Sequence, residues 1–163
     1  MIKPRKTVME MEEYNPPTSN REGYIRLDFN ENTAGCSLDV MKVLRKLRRT
    51  ELATYPEYSK LIESLAEYCG IEKGQVIAAN GADEAIKAIF EAYDEKKKDE
   101  IIIPVPTYAM FKLYAQLNEA IIKKIPYNDD LSFPADKILG AINKKTKIVV
   151  LVNPNNPTGT SVN

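Results

Sequence analysis

Apolar residues in this chain fall into two kinds of run: short β-branched stretches without charge, and longer stretches in which they recur every three to four positions. The first pattern predicts buried strands, the second helices with one face turned inward. Strands are predicted over residues 76–79, 100–104, 120–125 and 148–152, with helices over 82–93, 109–117 and 135–142 between them. Strand and helix alternating in this way predict a layered α/β domain with a largely parallel sheet and flanking helices. Upstream, Leu61, Ile62, Leu65, Ala66 and Cys69 keep helical spacing, and Gly70 stands where a helix end takes a left-handed residue. Ser37 can cap a helix over 38–49 that carries Val40, Val43, Leu44 and Leu47 on one face. Ile25, Leu27 and Phe29 alternate with polar residues in a short extended piece, followed by a turn over 30–35. Residues 1–26 mix charge with Pro16-Pro17 and show no sustained period, which describes an arm outside the sheet. The charge run over 94–100 is expected to be a solvated loop, and no internal repeat is present.

Charge removes several partners. Lys+Arg and Asp+Glu number 23 each, so 23 − 23 leaves no net charge and no global attraction to nucleic acid or an anionic membrane. No apolar stretch reaches the length that spans a bilayer, and the segment after Arg5 is polar and acidic, unlike a signal-peptide core, so a cytoplasmic location is expected. Histidine is absent, which excludes Ser-His and Cys-His catalysis within these residues and most zinc sites. Cys36 and Cys69 form no Cys-x-x-Cys pattern, so neither a metal site nor a redox dithiol is expected. Acid–base chemistry would need another residue type or a cofactor.

Candidate chemistry gathers at the predicted strand ends. The last strand runs into Asn153-Pro154-Asn155-Asn156-Pro157-Thr158-Gly159, a turn stiffened by proline in which an X-Pro bond can be cis. Asn155 and Asn156 carry amides that can face a ligand or simply close the turn. Asn80-Gly81-Ala82-Asp83-Glu84 opens a helix after a short strand, so its free N–H groups and helix dipole suit an anion such as phosphate; the same pattern fits a capped helix. It lacks the Gly-x-Gly-x-x-Gly spacing of a dinucleotide site. Tyr108, just past another strand, offers a flat face either for a planar ligand or for packing. Tyr55-Pro56 is by itself a turn, Asn30-Glu31-Asn32 a polar surface turn, and Lys42, Arg45, Lys46, Arg48 and Arg49 a solvated helix face.

Taken in order, Tyr55-Pro56, the segment from Asn80 to Glu84, Pro106-Thr107-Tyr108 and the segment from Asn153 to Gly159 resemble the amino-terminal half of a fold type I pyridoxal-phosphate (PLP) aminotransferase. Within that class the likeness is greatest to the histidinol-phosphate aminotransferases, and it covers the chain from about Leu27 to Thr160. It implies an aspartate aminotransferase-like fold: an arm over 1–26, a small-domain and interface segment over 27–58, and part of the PLP-binding large domain over 59–163. It implies that Gly81, Ala82 and Asp83 cradle the cofactor phosphate, that Tyr108 stacks on the pyridine ring, and that Asn156 donates to the phenolic oxygen. Tyr55 would reach the phosphate of a neighbouring subunit's cofactor, making a homodimer the expected assembly, or else a complementary carboxy-terminal chain. Asn30 and Asn32 match the substrate-side Asn-Glu-Asn, although Thr33-Ala34-Gly35 replaces the usual Pro-Tyr-Gly. Histidinol phosphate and 2-oxoglutarate are the implied substrates; a threonine-phosphate decarboxylase, or a noncatalytic module binding phosphate or a partner protein, are the alternatives. The family's Schiff-base lysine lies after the Asn-Pro-Thr-Gly turn, and Lys60, Lys87, Lys112, Lys144 and Lys147 match no such motif. No catalytic residue is therefore assigned, and these residues alone are expected to be inactive and to associate or to be poorly stable.

Overall fold

The computed structural model describes residues 2–13, 19, 21–93 and 98–162. Two compact units are formed, one from residues 1–12 and 79–163, the other from 13–78. In chain order the helices and strands are α1 (Lys6–Met9), α2 (Leu38–Leu44), α3 (Arg49–Leu52), α4 (Ser59–Cys69), α5 (Gly81–Tyr93), β1 (Glu100–Val105), α6 (Ala109–Leu117), β2 (Ile121–Pro126), α7 (Ala135–Ala141) and β3 (Thr146–Val149). Pro16-Pro17 and residues 94–97 of the charge run lie outside the described residues.

In the unit of residues 1–12 and 79–163, the strands form a parallel sheet in the order β2-β1-β3. Helices α6 and α7 make the crossovers that parallel pairing requires. β1 takes the centre because its Ile101-Ile102-Ile103 run is apolar on both sides: the exposures are 0%, 0% and 2%. A strand covered on both faces needs such a run, since successive side chains point to opposite faces. Ile101 and Ile103 join Phe90 of α5, Ala115 of α6 and Val150 in one core cluster. Ile102 is one residue out of phase with that cluster, and α7, with buried Ile138, also touches β1. The turn α1 lies against α6.

The last strand differs from its expected span. Pairing of Ile101 with Ile148 and Ile102 with Val149 starts β3 at Thr146, and the final ladder bond is Val150 N–H to Ile102 O, 2.9 Å. In this register Pro104 stands opposite Leu151, and the N–H that would continue the β1–β3 ladder does not exist. The expected strand over 76–79 is also absent from the sheet. Val76 has an extended backbone, but no ladder partner is present among the described residues, and Ile77 is exposed. Residues 25–30 likewise pair with no strand.

Within the unit of residues 13–78, α4 ends as expected on Gly70, φ 66°, with Ile71 N–H donating to Ala66 O at 3.0 Å. Ser37 caps α2 by accepting from Val40 N–H at 3.3 Å, but the helix stops at Leu44 instead of running to 49. Lys42 and Lys46, and Arg45 with Arg48 and Arg49, repel one another at helical spacing. A separate start is built by Glu51, whose carboxylate accepts from the Arg48 backbone N–H at 2.7 Å and opens α3. The expected inward face of Val40, Val43, Leu44 and Leu47 is exposed.

Candidate functional site

β1 and β3 are parallel neighbours, so the loops that follow them leave the same edge of the sheet. The loop after β1 carries Pro106, Thr107 and Tyr108; the loop after β3 carries the asparagines and prolines of 153–157. The bonds Val105–Pro106, Asn153–Pro154 and Asn156–Pro157 are cis. Between the two loops lies the buried side chain of Asn155. Its Oδ1 accepts from the Thr107 hydroxyl at 2.7 Å, and its Nδ2 donates to Pro106 O at 3.0 Å and Thr158 Oγ1 at 2.9 Å. The Thr160 hydroxyl then donates to Leu131 O at 2.8 Å, and Asn153 pairs through both side-chain atoms with the backbone of Val162.

Helix α5 brings its first turn to the Tyr108 side of this arrangement. Gly81 adopts φ +83°, and a Cβ added there would meet no heavy atom within 4 Å, so the backbone is open on that side. Its N–H donates to Ala79 O at 2.9 Å, and the Asn80 N–H is taken by the Glu84 carboxylate. Ala82 and Asp83 follow in the first turn, where a helix supplies no acceptors for its N–H groups. The Tyr108 hydroxyl donates to Asp83 Oδ1 at 2.8 Å, and the Tyr108 ring meets Phe111 edge-on with centroids 6.3 Å apart. Both carboxylates of the first turn thus accept from donors of the chain, Asp83 from the Tyr108 hydroxyl and Glu84 from the Asn80 N–H. Tyr108, Thr107, Lys112 and Lys124 also line a cleft of about 220 Å³.

Gly81, Ala82, Asp83, Tyr108 and Asn156 all belong to this unit. Asp83 and Tyr108 are in contact; Asn156 is half-buried beside Asn155, and among the described residues no hydrogen bond engages its side chain. Of the two amides open to either role in the sequence, Asn155 is the one spent inside the protein. Its partnership with Thr107, 48 positions away, was not legible from spacing along the chain. The only clue was that both residues follow predicted strands.

Tyr55, Asn30 and Asn32 belong to the other unit. Tyr55 is fully exposed. Asn30 has φ +54°, and Asn32 closes the next turn: Nδ2 donates to Gly35 O at 2.7 Å while Oδ1 accepts from Ala34 N–H at 3.2 Å. Arg21 braces the same segment from below, 2.5 Å from Asp28 and 2.9 Å from Glu31, with its guanidinium 4.4 Å from the centre of the Phe29 ring. Partial burial pushes the Asp28 carboxyl up, but the Arg21 hydrogen bond and charge, with backbone N–H groups, outweigh it and hold the carboxyl below its usual range. Hydrogen bonding to Glu31 raises Arg21 further.

Comparison with known proteins bears on this geometry. Residues 22–163 match the family described as aminotransferase class I and II. The chain is 30% identical over 155 residues to the histidinol-phosphate aminotransferase of Clostridium novyi (strain NT), covering 92% of this chain and 43% of that protein. It is 36% identical over 141 residues to the enzyme of the same name from Geobacillus sp. (strain WCH70), covering 85% of this chain and 38% of the relative. The chain therefore spans about two fifths of the length of these curated relatives. Among solved structures, a proposed histidinol-phosphate aminotransferase from Erwinia carotovora atroseptica superposes with a TM-score of 0.71 at 29% identity, over 85% of this chain and 40% of that one. The histidinol-phosphate aminotransferase of Sinorhizobium meliloti, solved in complex with pyridoxal-5'-phosphate, shares the fold with a TM-score of 0.74 at 21% identity, over 81% of this chain and 36% of that one. The three-stranded parallel sheet and its helices are thus part of an aspartate aminotransferase-like α/β fold.

Proposed function

This chain belongs to the aminotransferase class I and II family, and we propose that its residues supply the phosphate, ring and phenolate contacts of a PLP-dependent aminotransferase. The observation that carries the reading is convergence: the open first turn of α5, the Tyr108 ring and the Asn156-bearing loop belong to one unit, joined by the Tyr108–Asp83 and Thr107–Asn155 hydrogen bonds. These residues fit the cofactor. A phosphate would meet the N–H groups of Ala82 and Asp83 at the positive end of α5, with no Cβ on Gly81 to obstruct it.

When bound, PLP supplies the electron sink for a carbanion at the substrate α-carbon. The residues of this chain bind and orient. The Tyr108 ring provides a flat face held in place through its hydroxyl by Asp83. Asn156 provides an N–H donor for the phenolic oxygen, where a donor favours the charged form. Tyr55 is assigned to the phosphate of a neighbouring subunit's cofactor, so the proposal includes a homodimer. Asn30 and Asn32 are assigned to the substrate side, with Arg21 fixing the segment that carries them. The reacting lysine is assigned to the part of the family's length that these residues do not span.

The names of the curated relatives support histidinol phosphate as amino donor, and 2-oxoglutarate is assigned as the acceptor. We assign residues 1–26 to an arm, 27–58 to a small-domain and interface segment, and 59–163 to the PLP-binding large domain. A cytoplasmic location completes the proposal; among the described residues no helix is long and apolar enough to cross a membrane.

Equilibrium dialysis of the chain against pyridoxal 5'-phosphate and against pyridoxal tests the reading. Preferential binding of the phosphorylated form, weakened by Asn156→Ala with a shift in the bound absorption band, is expected. Equal binding of both compounds, or none, would overturn it. Substrate identity is tested in the full-length protein carrying these residues, by glutamate formation from histidinol phosphate and 2-oxoglutarate.

A further inference from the structure

We propose that Asn155 is a positioning residue whose buried amide locks the loop after β1 to the loop after β3 and so sets the spacing between the Tyr108 ring and the Asn156 amide. The inference rests on the roles proposed above for Tyr108 and Asn156. Asn155 is only 3% exposed, so it does not meet a ligand itself. Every polar group it owns is spent within the protein: its N–H donates to Thr160 O at 2.8 Å, its C=O accepts from Gly159 N–H at 2.7 Å, and its side chain accepts once and donates twice. Two of these bonds cross to the loop after β1, at Pro106 and Thr107. Those residues directly precede Tyr108, and Asn155 directly precedes Asn156.

The need for such a lock follows from the sheet. Pro104 ends the β1–β3 ladder at Val150, so backbone pairing stops before either loop begins. The Asn155 amide takes over as the cross-link between them. Only an amide of this length fits the set of partners, because Oδ1 must accept from Thr107 while Nδ2 donates to a carbonyl and a hydroxyl. An aspartate would set a carboxylate against Pro106 O, and an alanine would remove all three side-chain hydrogen bonds, two of them the bonds that cross to the loop after β1.

The lock is tested on the full chain without ligand. Thr107→Val keeps the shape of a half-exposed residue and removes the hydroxyl, whereas Thr107→Ser keeps the hydroxyl. Amide hydrogen exchange at Asn155 and Gly159 is expected to be about ten-fold faster in Thr107→Val, corresponding to loss of one hydrogen bond across the loops, and near wild type in Thr107→Ser. Unchanged exchange in Thr107→Val, or equal acceleration in both variants, overturns the lock. The effect on positioning is read with pyridoxal 5'-phosphate and inorganic phosphate as probes. Asn155→Ala, or Asn155→Asp if the alanine variant does not fold, is expected to weaken binding of the cofactor at least five-fold and to leave phosphate binding unchanged. An equal loss of both, or a loss of neither, overturns the positioning role. A wild-type chain that binds no cofactor while exchange responds as expected defeats the functional reading alone, because the exchange experiment needs no ligand.

Discussion

The Tyr108 hydroxyl donates to Asp83 Oδ1 at 2.8 Å, tying the start of α6 to the first turn of α5 across 25 positions. The bond is partly buried and its acceptor is a carboxylate, which places it among the stronger hydrogen bonds of a protein. It also gives both residues a structural duty that can be measured without any ligand. Tyr108→Phe and Asp83→Ala are each expected to lower stability by about 1–2 kcal/mol. The double variant should cost less than the sum by about 1 kcal/mol, the coupling between the two side chains. Urea unfolding of the four proteins measures this; additive losses would show that the two groups do not act together.

Gly81 and Gly140 make opposite predictions from the same substitution. Both have room for a Cβ, so neither replacement clashes with a neighbour. Gly81 sits at φ +83°, a region that costs a residue with a side chain about 1–2 kcal/mol, and Gly81→Ala should destabilise by that amount. Gly140 lies inside α7 without a positive φ, and Gly140→Ala should stabilise by about 0.5–1 kcal/mol. Thermal melts of the two variants in opposite directions would confirm the backbone assignment at the mouth of the site.

Much of this architecture was legible in the sequence, and the misses share a physical cause. Helices α4, α5 and α6 could be placed because periodicity and caps are local; Gly70 stands where the pattern put it, and α5 starts at Gly81, one residue before the predicted Ala82. Strands are a different matter, because a strand exists only where a partner accepts its hydrogen bonds. The apolar segment over 76–79 has no such partner among the described residues, and β3 stops short of the end of its apolar run because Pro104, on a different strand, withdraws a donor. Asn155 shows the same limit at the candidate site. Its composition marked it as a ligand-facing amide or a turn residue, and only the adjacency of β1 and β3 decides that it faces inward towards Thr107.

Acid should loosen the opposite end of the sheet. Glu100, at the start of β1, accepts from Lys123 Nζ and from Asn143 Nδ2, both at 2.7 Å. The Lys123 hydrogen bond first, then Asn143, hold its carboxyl below the usual range. A carboxyl depressed in the folded state stabilises the protein above its unfolded pKa, and that contribution fades as pH falls towards the folded one. Wild type should therefore exceed Glu100→Gln in stability at neutral pH, with the gap closing below about pH 4.5. Melting temperatures of both proteins between pH 7 and pH 3 measure the convergence; a constant gap would assign the difference to shape instead of charge.

Two isoleucines separate the centre of the sheet from its edge. Ile102 is wholly buried on β1, whereas Ile121 on β2 is 44% exposed although it pairs with the same strand. Truncation at the first site leaves a cavity that a close-packed interior cannot fill, and Ile102→Ala should cost about 2–5 kcal/mol. Truncation at the second removes surface already half in water, and Ile121→Ala should cost about 1 kcal/mol or less. Because the total stability of a domain is only about 5–15 kcal/mol, the first variant should fold weakly or not at all while the second survives. Chemical denaturation followed by far-ultraviolet circular dichroism distinguishes them. Equal losses would mean that β1 is not the covered central strand, and the loops that carry Tyr108 and Asn156 would then lose the common edge on which the site depends.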